Sequence, residues 1–296
     1  MLKVVCIPAY NEEKLIRNTV QKCLKYAEKI IVCDDGSVDS TSEEAKKGGA
    51  TIIRHEKNMG KGAALKTLFK SARDANADVM VTIDGDGQFL PEEIEKMMKP
   101  ILEDKADVVI GYRFDNSTEM PAYRKIGNKF LDKITNIASE LSFRDTQSGF
   151  RAYSKKAIKV IHFVNDGFSA DSEILIDASR KNLRISEEKV TVIYDTGEKT
   201  STLNPVSHSA GVIASLVEIV AIRHPLKYLG IPGLILIGIG ISFGIVVISY
   251  FNETRQFSIP STLVSLGGLT LGTVFLLMSI VLFSIARATM RWKLDK

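Results

Sequence analysis

Apolar positions along the first 110 residues follow two spacings in turn. Short runs rich in Val and Ile occur at Lys3–Ile7, Lys29–Cys33, Ala50–Ile53, Asp78–Ile83 and Asp107–Ile110. Between them, near residues 12–25, 39–47, 61–75 and 91–103, apolar residues recur every three or four positions. The first pattern predicts buried strands and the second amphipathic helices packed on them. Strand and helix in alternation, with strands apolar on both faces, predict an α/β fold with a largely parallel sheet. A further helix is predicted over Met120–Leu141, another around Ser172–Lys181, and a strand around Lys189–Tyr194.

The pattern then changes. Leu229–Phe251 is 23 residues without a charge, and Phe257–Ala286 is another 30. About 20 apolar residues cross a bilayer as a helix, so both runs are expected to be transmembrane. The linker Asn252–Gln256 carries Glu253 and Arg255, which cancel. Arg223, His224 and Lys227 precede the pair, and Arg287, Arg291 and Lys293 follow it. Positive flanks belong on the cytoplasmic side, which places both termini there and the short linker outside. Val212–Ile222, with Glu218 as its one charge, fits a helix at the interface or one packed on the preceding domain.

Charge refines this division. The formal net charge is +4; residues 225–296 hold six basic and two acidic side chains, leaving 33 of each in 1–224. A neutral α/β region lacks the basic face that nucleic acid requires. Cys6, Cys23 and Cys33 show no metal-ligand spacing, and Cys6 and Cys33 fall within apolar runs, so buried thiols are expected. Met1 leads straight into an apolar strand without a basic leader, and no cleaved signal peptide is expected.

In an open α/β sheet the ligand lies beyond the carboxyl ends of the strands. The first strand ends in Pro8-Ala9-Tyr10-Asn11-Glu12-Glu13 and the second in Asp34-Asp35-Gly36-Ser37-Val38-Asp39. Asp35 can accept from a base N–H or ribose hydroxyls; Gly36 allows a sharp turn; Asp39 can cap the next helix. The fourth strand ends in Asp84-Gly85-Asp86-Gly87-Gln88. On an extended backbone Asp84, Asp86 and Gln88 would share a face, offering hard oxygen ligands to Mg²⁺ or Mn²⁺, while Gly85 lets the backbone approach an anion. An EF-hand loop is a poor fit, because its twelfth position falls on Glu95 within a predicted helix. Asn58-Met59-Gly60-Lys61-Gly62 fails the phosphate-loop pattern and is expected to be a structural turn. Arg113, Arg124 and the Asp145–Arg151 stretch, with Ser148 and Arg151, are candidates for gripping phosphate. Asp171 and Glu173 suit either ligand hydroxyls or the N-terminal dipole of their own helix.

These segments in this order resemble the family 2 glycosyltransferases of GT-A fold, and within them the dolichyl-phosphate mannosyl- and glucosyltransferases. The resemblance covers roughly residues 3–195 and rests on PAYNEE, DDGSVDST, NMGKGAAL, DGDGQ, GYR and DTQSGFR. It implies a GT-A catalytic domain over 1–205, a juxtamembrane helix over 206–228, spans over 229–251 and 257–286, and a basic tail over 287–296. It further implies that Pro8, Tyr10, Glu12, Asp35, Gly36, Gly85 and Lys199 border the nucleotide-sugar. Asp84, Asp86 and Gln88 would hold Mg²⁺ or Mn²⁺. Arg113 and Arg124, with Ser148 and Arg151, would hold the acceptor phosphate, and Asp171 and Glu173 would orient hydroxyls. The implied reaction is inverting transfer of a hexose from UDP-glucose or GDP-mannose to a polyprenyl phosphate at the cytoplasmic face of the membrane. The bilayer is then a partner, and the spans offer a surface on which copies of the chain can associate. One departure leaves the sugar open: where mannosyltransferases carry an Arg followed by a G-x-S-K stretch, this chain reads Asp195-Thr196-Gly197-Glu198-Lys199. Another lipid or glycan acceptor, or a non-enzymatic membrane adaptor on the same fold, would use the same segments. The processive-synthase motif QxxRW is missing, since Arg291-Trp292 lacks its Gln and follows the last span.

Overall fold

The computed structural model describes residues 1–113, 132, 135–136, 139, 142–163, 170–193 and 225–294. The chain forms two compact units, Met1–Leu216 and Val217–Lys296.

In the first unit the Val/Ile runs are strands: β1 (Lys3–Ala9), β2 (Lys29–Asp34), β3 (Thr51–Arg54), β4 (Val79–Thr82) and β5 (Val108–Tyr112). Helices α1 (Ile16–Cys23), α2 (Thr41–Lys47), α3 (Lys61–Asp74) and α4 (Ile94–Leu102) alternate with them. Two strands depart from the expected pattern. β6 (Arg151–Ser154) was not anticipated, and β7 (Ile185–Lys189) lies before the apolar stretch predicted as a strand. The seven strands form one sheet in the order β3-β2-β1-β4-β6-β5-β7, with only β6 antiparallel to its neighbours. That reversal brings the start of β6, and the Asp145–Phe150 segment before it, to the rim where the other six strands end.

Side chains alternate across the sheet as the pleat requires. Val4 and Cys6 pack with Leu65, Leu68 and Phe69 of α3 and Leu175 of the helix Ala170–Arg180. Val5 and Ile7 pack with Ile16 and Val20 of α1 and Met97 of α4 on the other face. The three cysteines are free and buried, as expected, and burial pushes each thiol well above its ordinary range. The predicted Met120–Leu141 helix lies largely outside the described residues; Asp132, Thr135, Asn136 and Ser139 within it are helical.

The second unit is a helical hairpin. A π-helical turn, Leu226–Gly230, leads into the helix Ile231–Thr254, and Ile259–Leu294 returns. Its apolar stretches, Leu226–Thr254 and Ile259–Ile285, are long enough to cross a bilayer. Ile235, Ile245, Leu263 and Leu277 are exposed, which separates these helices from the buried core helices of a water-soluble domain. The two pack backbone to backbone. A Cβ on Gly240 would lie 2.8 Å from the Leu269 nitrogen, and one on Gly272 would lie 2.7 Å from the Gly233 oxygen. Ser265 adds a hydrogen bond to the Gly240 carbonyl at 2.8 Å. Small residues at the crossing and apolar side chains outside are how helices associate within lipid. The hairpin makes this a membrane-associated chain.

Candidate active site

The carboxyl rim carries two acidic turns. At the β2 turn, Asp34 accepts from the Ser37 N–H at 2.8 Å and from the Ser42 hydroxyl. Gly36 turns the chain at φ +74°, and a Cβ there would sit 2.4 Å from the Lys57 carbonyl carbon, so only glycine fits. Asp35 is buried and accepts from the Met59 N–H (3.0 Å), the Gly60 N–H (2.7 Å) and His55 Nδ1 (2.6 Å). It therefore pins the loop before α3 to the end of β2. Asp39 sits one residue before the α2 cap, Ser40, and accepts from the Thr41 N–H at 3.0 Å and the Glu13 N–H at 3.3 Å. Asn11 and Glu12 donate their N–H groups to Ser37 Oγ (2.9 Å) and Thr41 Oγ1 (2.7 Å). The end of β1, with Pro8 and the exposed Tyr10, is thereby laced to the β2 turn.

The β4 turn is built differently. Asp84-Gly85-Asp86-Gly87 is a turn rather than the extended segment expected, with Gly87 at φ +70° and the Gln88 N–H donating to Asp86 Oδ1 at 3.1 Å. Burial, joined by the neighbouring charge of Asp84, pushes the Asp86 carboxyl up to about 6. Gly85 tucks against Ile16 and Ala9, holding this turn under the end of β1. Beyond Gln88, the Phe89 strand position pairs with Val192, and the Ile193 N–H donates to the Gln88 carbonyl at 2.9 Å. The segment following β7 therefore leaves the sheet beside this turn.

Lys61, assigned by its sequence to a structural turn, proves central. Its Nζ lies 2.9 Å from Asp84 Oδ1 and 3.4 Å from Asp171 Oδ2. Burial would lower its pKa, but Asp171 and Asp84 outweigh that and hold the ammonium above its ordinary range. Asp171 opens the helix Ala170–Arg180, which explains its acidic start, and joins that helix to the rim. Gly149 leaves space for Asp84: a Cβ there would fall 2.3 Å from Asp84 Oδ2. Glu173, by contrast, is only half-buried on the same helix.

Two residues expected to hold an acceptor phosphate are committed to the fold instead. Arg151 is fully buried and donates to the Ser148, Asp171 and Thr146 carbonyls at 2.8, 2.7 and 2.7 Å. Its guanidinium satisfies main-chain acceptors in the core, and Ser148 is equally buried. Arg113 remains on the rim. It forks onto buried Asp145 through Nε (2.6 Å) and Nη2 (3.0 Å), which fixes its plane and leaves its charge close enough to lower the pKa of Asp86. Behind it, Asp132 accepts from the Thr146 N–H and hydroxyl, both at 2.7 Å, yet burial pushes its carboxyl up to about 6. Arg124 and Lys199 lie outside the described residues.

Among the described residues, Asp84, Asp86, Asp145 and Asp171 here face Lys61, Arg113 and Arg151. Counted among these described residues alone, four carboxylates stand against three cations. The carboxylates of Asp84 and Asp86 are hard oxygen donors of the kind Mg²⁺ and Mn²⁺ take. No group of three or more carboxylate, His or Cys side chains placed to hold a metal ion occurs among the described residues.

Residues 4–162 match the family model described as glycosyl transferase family 2. The chain belongs to glycosyl transferase family 2. As a member of this family it is a glycosyltransferase. Among its relatives is a Methanococcus voltae protein named UDP-N-acetylglucosamine–dolichyl-phosphate N-acetylglucosaminyltransferase, 38% identical over 64% of this chain and 84% of that one. A Haloferax volcanii protein named dolichyl-phosphate hexose transferase is 29% identical over 73% of this chain and 92% of its own. In fold, the chain is similar to the crystal structure of Mycobacterium tuberculosis glucosyl-3-phosphoglycerate synthase with Mn²⁺, UDP-glucose and phosphoglyceric acid. That match has a TM-score of 0.59 and 21% identity over 74% of this chain and 80% of that one. The GT-A fold expected from the motifs is the one observed.

Proposed function

We propose that this glycosyltransferase moves a hexose or related sugar from a nucleoside diphosphate donor to a polyprenyl phosphate held in the membrane. The observation that carries this reading is that one chain joins the acidic β4 turn to a lipid-exposed helical hairpin. A polyprenyl acceptor does not leave the bilayer, so an enzyme using it works at the membrane surface. The names of the Methanococcus and Haloferax relatives, both of which include dolichyl-phosphate, support the same class. The basic flanks of the spans favour a cytoplasmic catalytic domain.

In this reading Pro8, Tyr10, Glu12 and Asp35 border the nucleoside. Asp84, Asp86 and Gln88 would hold Mg²⁺ or Mn²⁺, which when bound supplies charge neutralisation to the departing diphosphate. Arg113, fixed by Asp145, faces the incoming phosphate, with Arg124 as a further phosphate-binding group and Lys199 beside the nucleotide-sugar. A phosphate monoester has its second pKa near 6, so at neutral pH it is mainly a dianion. Its oxygen attacks the anomeric carbon, the bond to the diphosphate breaks, and the nucleoside diphosphate leaves with that electron pair. No side chain has to remove a proton, and approach opposite the leaving group inverts the anomeric centre. The protein contributes chiefly positioning and a fixed field.

The test is transfer of labelled sugar from a panel of UDP- and GDP-sugars into organic-extractable lipid, with added polyprenyl phosphate and Mn²⁺ or Mg²⁺. Metal-dependent label in the lipid phase, lost in Asp86→Ala, is the expected result and identifies the donor. Folded protein that transfers label from no donor contradicts the reading and favours the adaptor.

A further inference from the structure

His55 occupies a position that the reaction above does not use. It follows the last residue of β3, and its N–H donates to the Asp34 carbonyl at 2.9 Å, which sets it on the ligand end of the sheet. Its ring is largely enclosed. Nδ1 lies 2.6 Å from Asp35 Oδ1, Nε2 lies 2.9 Å from Thr67 Oγ1 on α3, and Cys33 Sγ is 3.5 Å from Nε2. A carboxylate has no proton to give, so Nδ1 carries the hydrogen of its contact with Asp35, while Nε2 is held at the Thr67 hydroxyl. The chain Thr67–His55–Asp35 therefore holds the imidazole ring and, through it, the carboxylate. A carboxylate offers about four acceptor positions. Three on Asp35 are taken, by His55, Met59 and Gly60, while 5% of its side chain stays exposed at the rim.

We propose that His55 is a positioning residue for donor recognition: it holds Asp35 so that its one remaining acceptor position meets an N–H or O–H of the bound nucleoside. This inference rests on the reading of Asp35 as part of the donor pocket. His55 touches no substrate; it acts by aiming Asp35, so its removal changes donor affinity and leaves the reacting centre at the β4 turn intact. Asn places an amide N–H near Nδ1 and preserves the bond to Asp35. Gln extends past that point and does not.

The experiment titrates UDP and GDP, each with Mn²⁺, into the full-length chain carrying His55, His55→Ala, His55→Asn or His55→Gln, and measures KM and kcat for the active donor. Melting curves establish that each variant is folded. His55→Ala is expected to raise Kd and KM about tenfold, the loss of one hydrogen bond to a charged group, with kcat within about twofold. His55→Asn is expected to recover most of that loss, and His55→Gln little of it. A merely structural role would lower the melting temperature of all three without this ordering. Folded His55→Ala with unchanged Kd, or Asn and Gln variants equally weakened, overturns the inference. If His55→Ala does not fold, the Asn and Gln pair decides alone. A wild-type chain that binds neither UDP nor GDP overturns the donor reading itself and this inference with it.

Discussion

Asp34-Asp35-Gly36 and Asp84-Gly85-Asp86 look alike as sequence and follow the two strands that flank β1, yet their carboxylates are partnered in different ways. At the β2 turn the carboxylates are surrounded by donors that belong to the fold: Ser37, Ser42, Met59, Gly60 and His55. At the β4 turn Asp84 and Asp86 crowd each other, and the Lys61 ammonium is shared between Asp84 and Asp171. Buried carboxylates must be compensated. The first turn is compensated by main-chain and side-chain N–H and O–H groups and organises loops. The second, among the described residues, is compensated chiefly by the Lys61 ammonium that Asp84 shares with Asp171, the feature on which the proposed cation site rests. Acidic residues at a strand end therefore do not by themselves mark a metal site; the source of their compensation does.

Four substitutions break or sharpen this contrast. The largest effect is expected from Asp86→Ala, which should lower kcat/KM for sugar transfer by at least about 10²–10³-fold, since it removes a cation ligand where the leaving group's charge develops. The fold should survive, as judged by an unchanged melting curve. Gly36→Ala addresses the other turn. A left-handed φ and a Cβ lodged against the Lys57 backbone should cost about 3 kcal/mol of stability, read by denaturant unfolding. Lys61→Met strips the shared cation from Asp84 and the buried Asp171 and should cost about 2 kcal/mol, discounted for the partial exposure of Lys61 and Asp84. Its stabilisation by Mn²⁺ should then exceed that of the wild type, because the ion replaces the missing charge.

The smallest effect sharpens the contrast with a carboxylate compensated by neither means in full. Asp132 is buried with a pKa near 6, against about 3.9 for an unstrained Asp. Between those values the folded state binds more protons than the unfolded one, so stability falls as pH rises from about 4 to about 6. Asp132→Asn keeps an acceptor for the Thr146 N–H and hydroxyl and removes the charge. It should raise stability at pH 7 by about 1–2 kcal/mol and flatten the pH dependence across that window, measured by thermal melts over pH 4–7.

The parallel core was legible because β1, β2, β4 and β5 are buried on both faces, which forces continuous Val/Ile runs. β7 was displaced because Ile185–Lys189 lies at the sheet edge and is half-exposed; its polar residues hide it, while the more apolar Val190–Ile193 beyond it forms only a bridge to Phe89. β6 is hidden because Arg151-Ala152-Tyr153-Ser154 begins with a charge, whose burial is made possible by the main-chain carbonyls of Thr146, Ser148 and Asp171. For the same reason Arg151 was read as a phosphate ligand. The acidic turns could be located from their positions after strands, but not distinguished. Lys61 and His55 gave no local signal, since each takes its meaning from carboxylates 23 and 20 positions away. The pairing of a Gly-Lys-Gly helix start with an acidic β4 turn is the one sequence clue that could have singled out Lys61.

The most direct measurement is the binding of Mn²⁺ to the full-length wild type, to Asp35→Asn, and to the Asp84→Asn/Asp86→Asn double variant, followed by electron paramagnetic resonance. One ion per chain is expected in the wild type and in Asp35→Asn, and none at the same concentration in the double variant. Equal binding by the double variant and the wild type would contradict the assignment of the β4 turn as the cation-holding reaction centre.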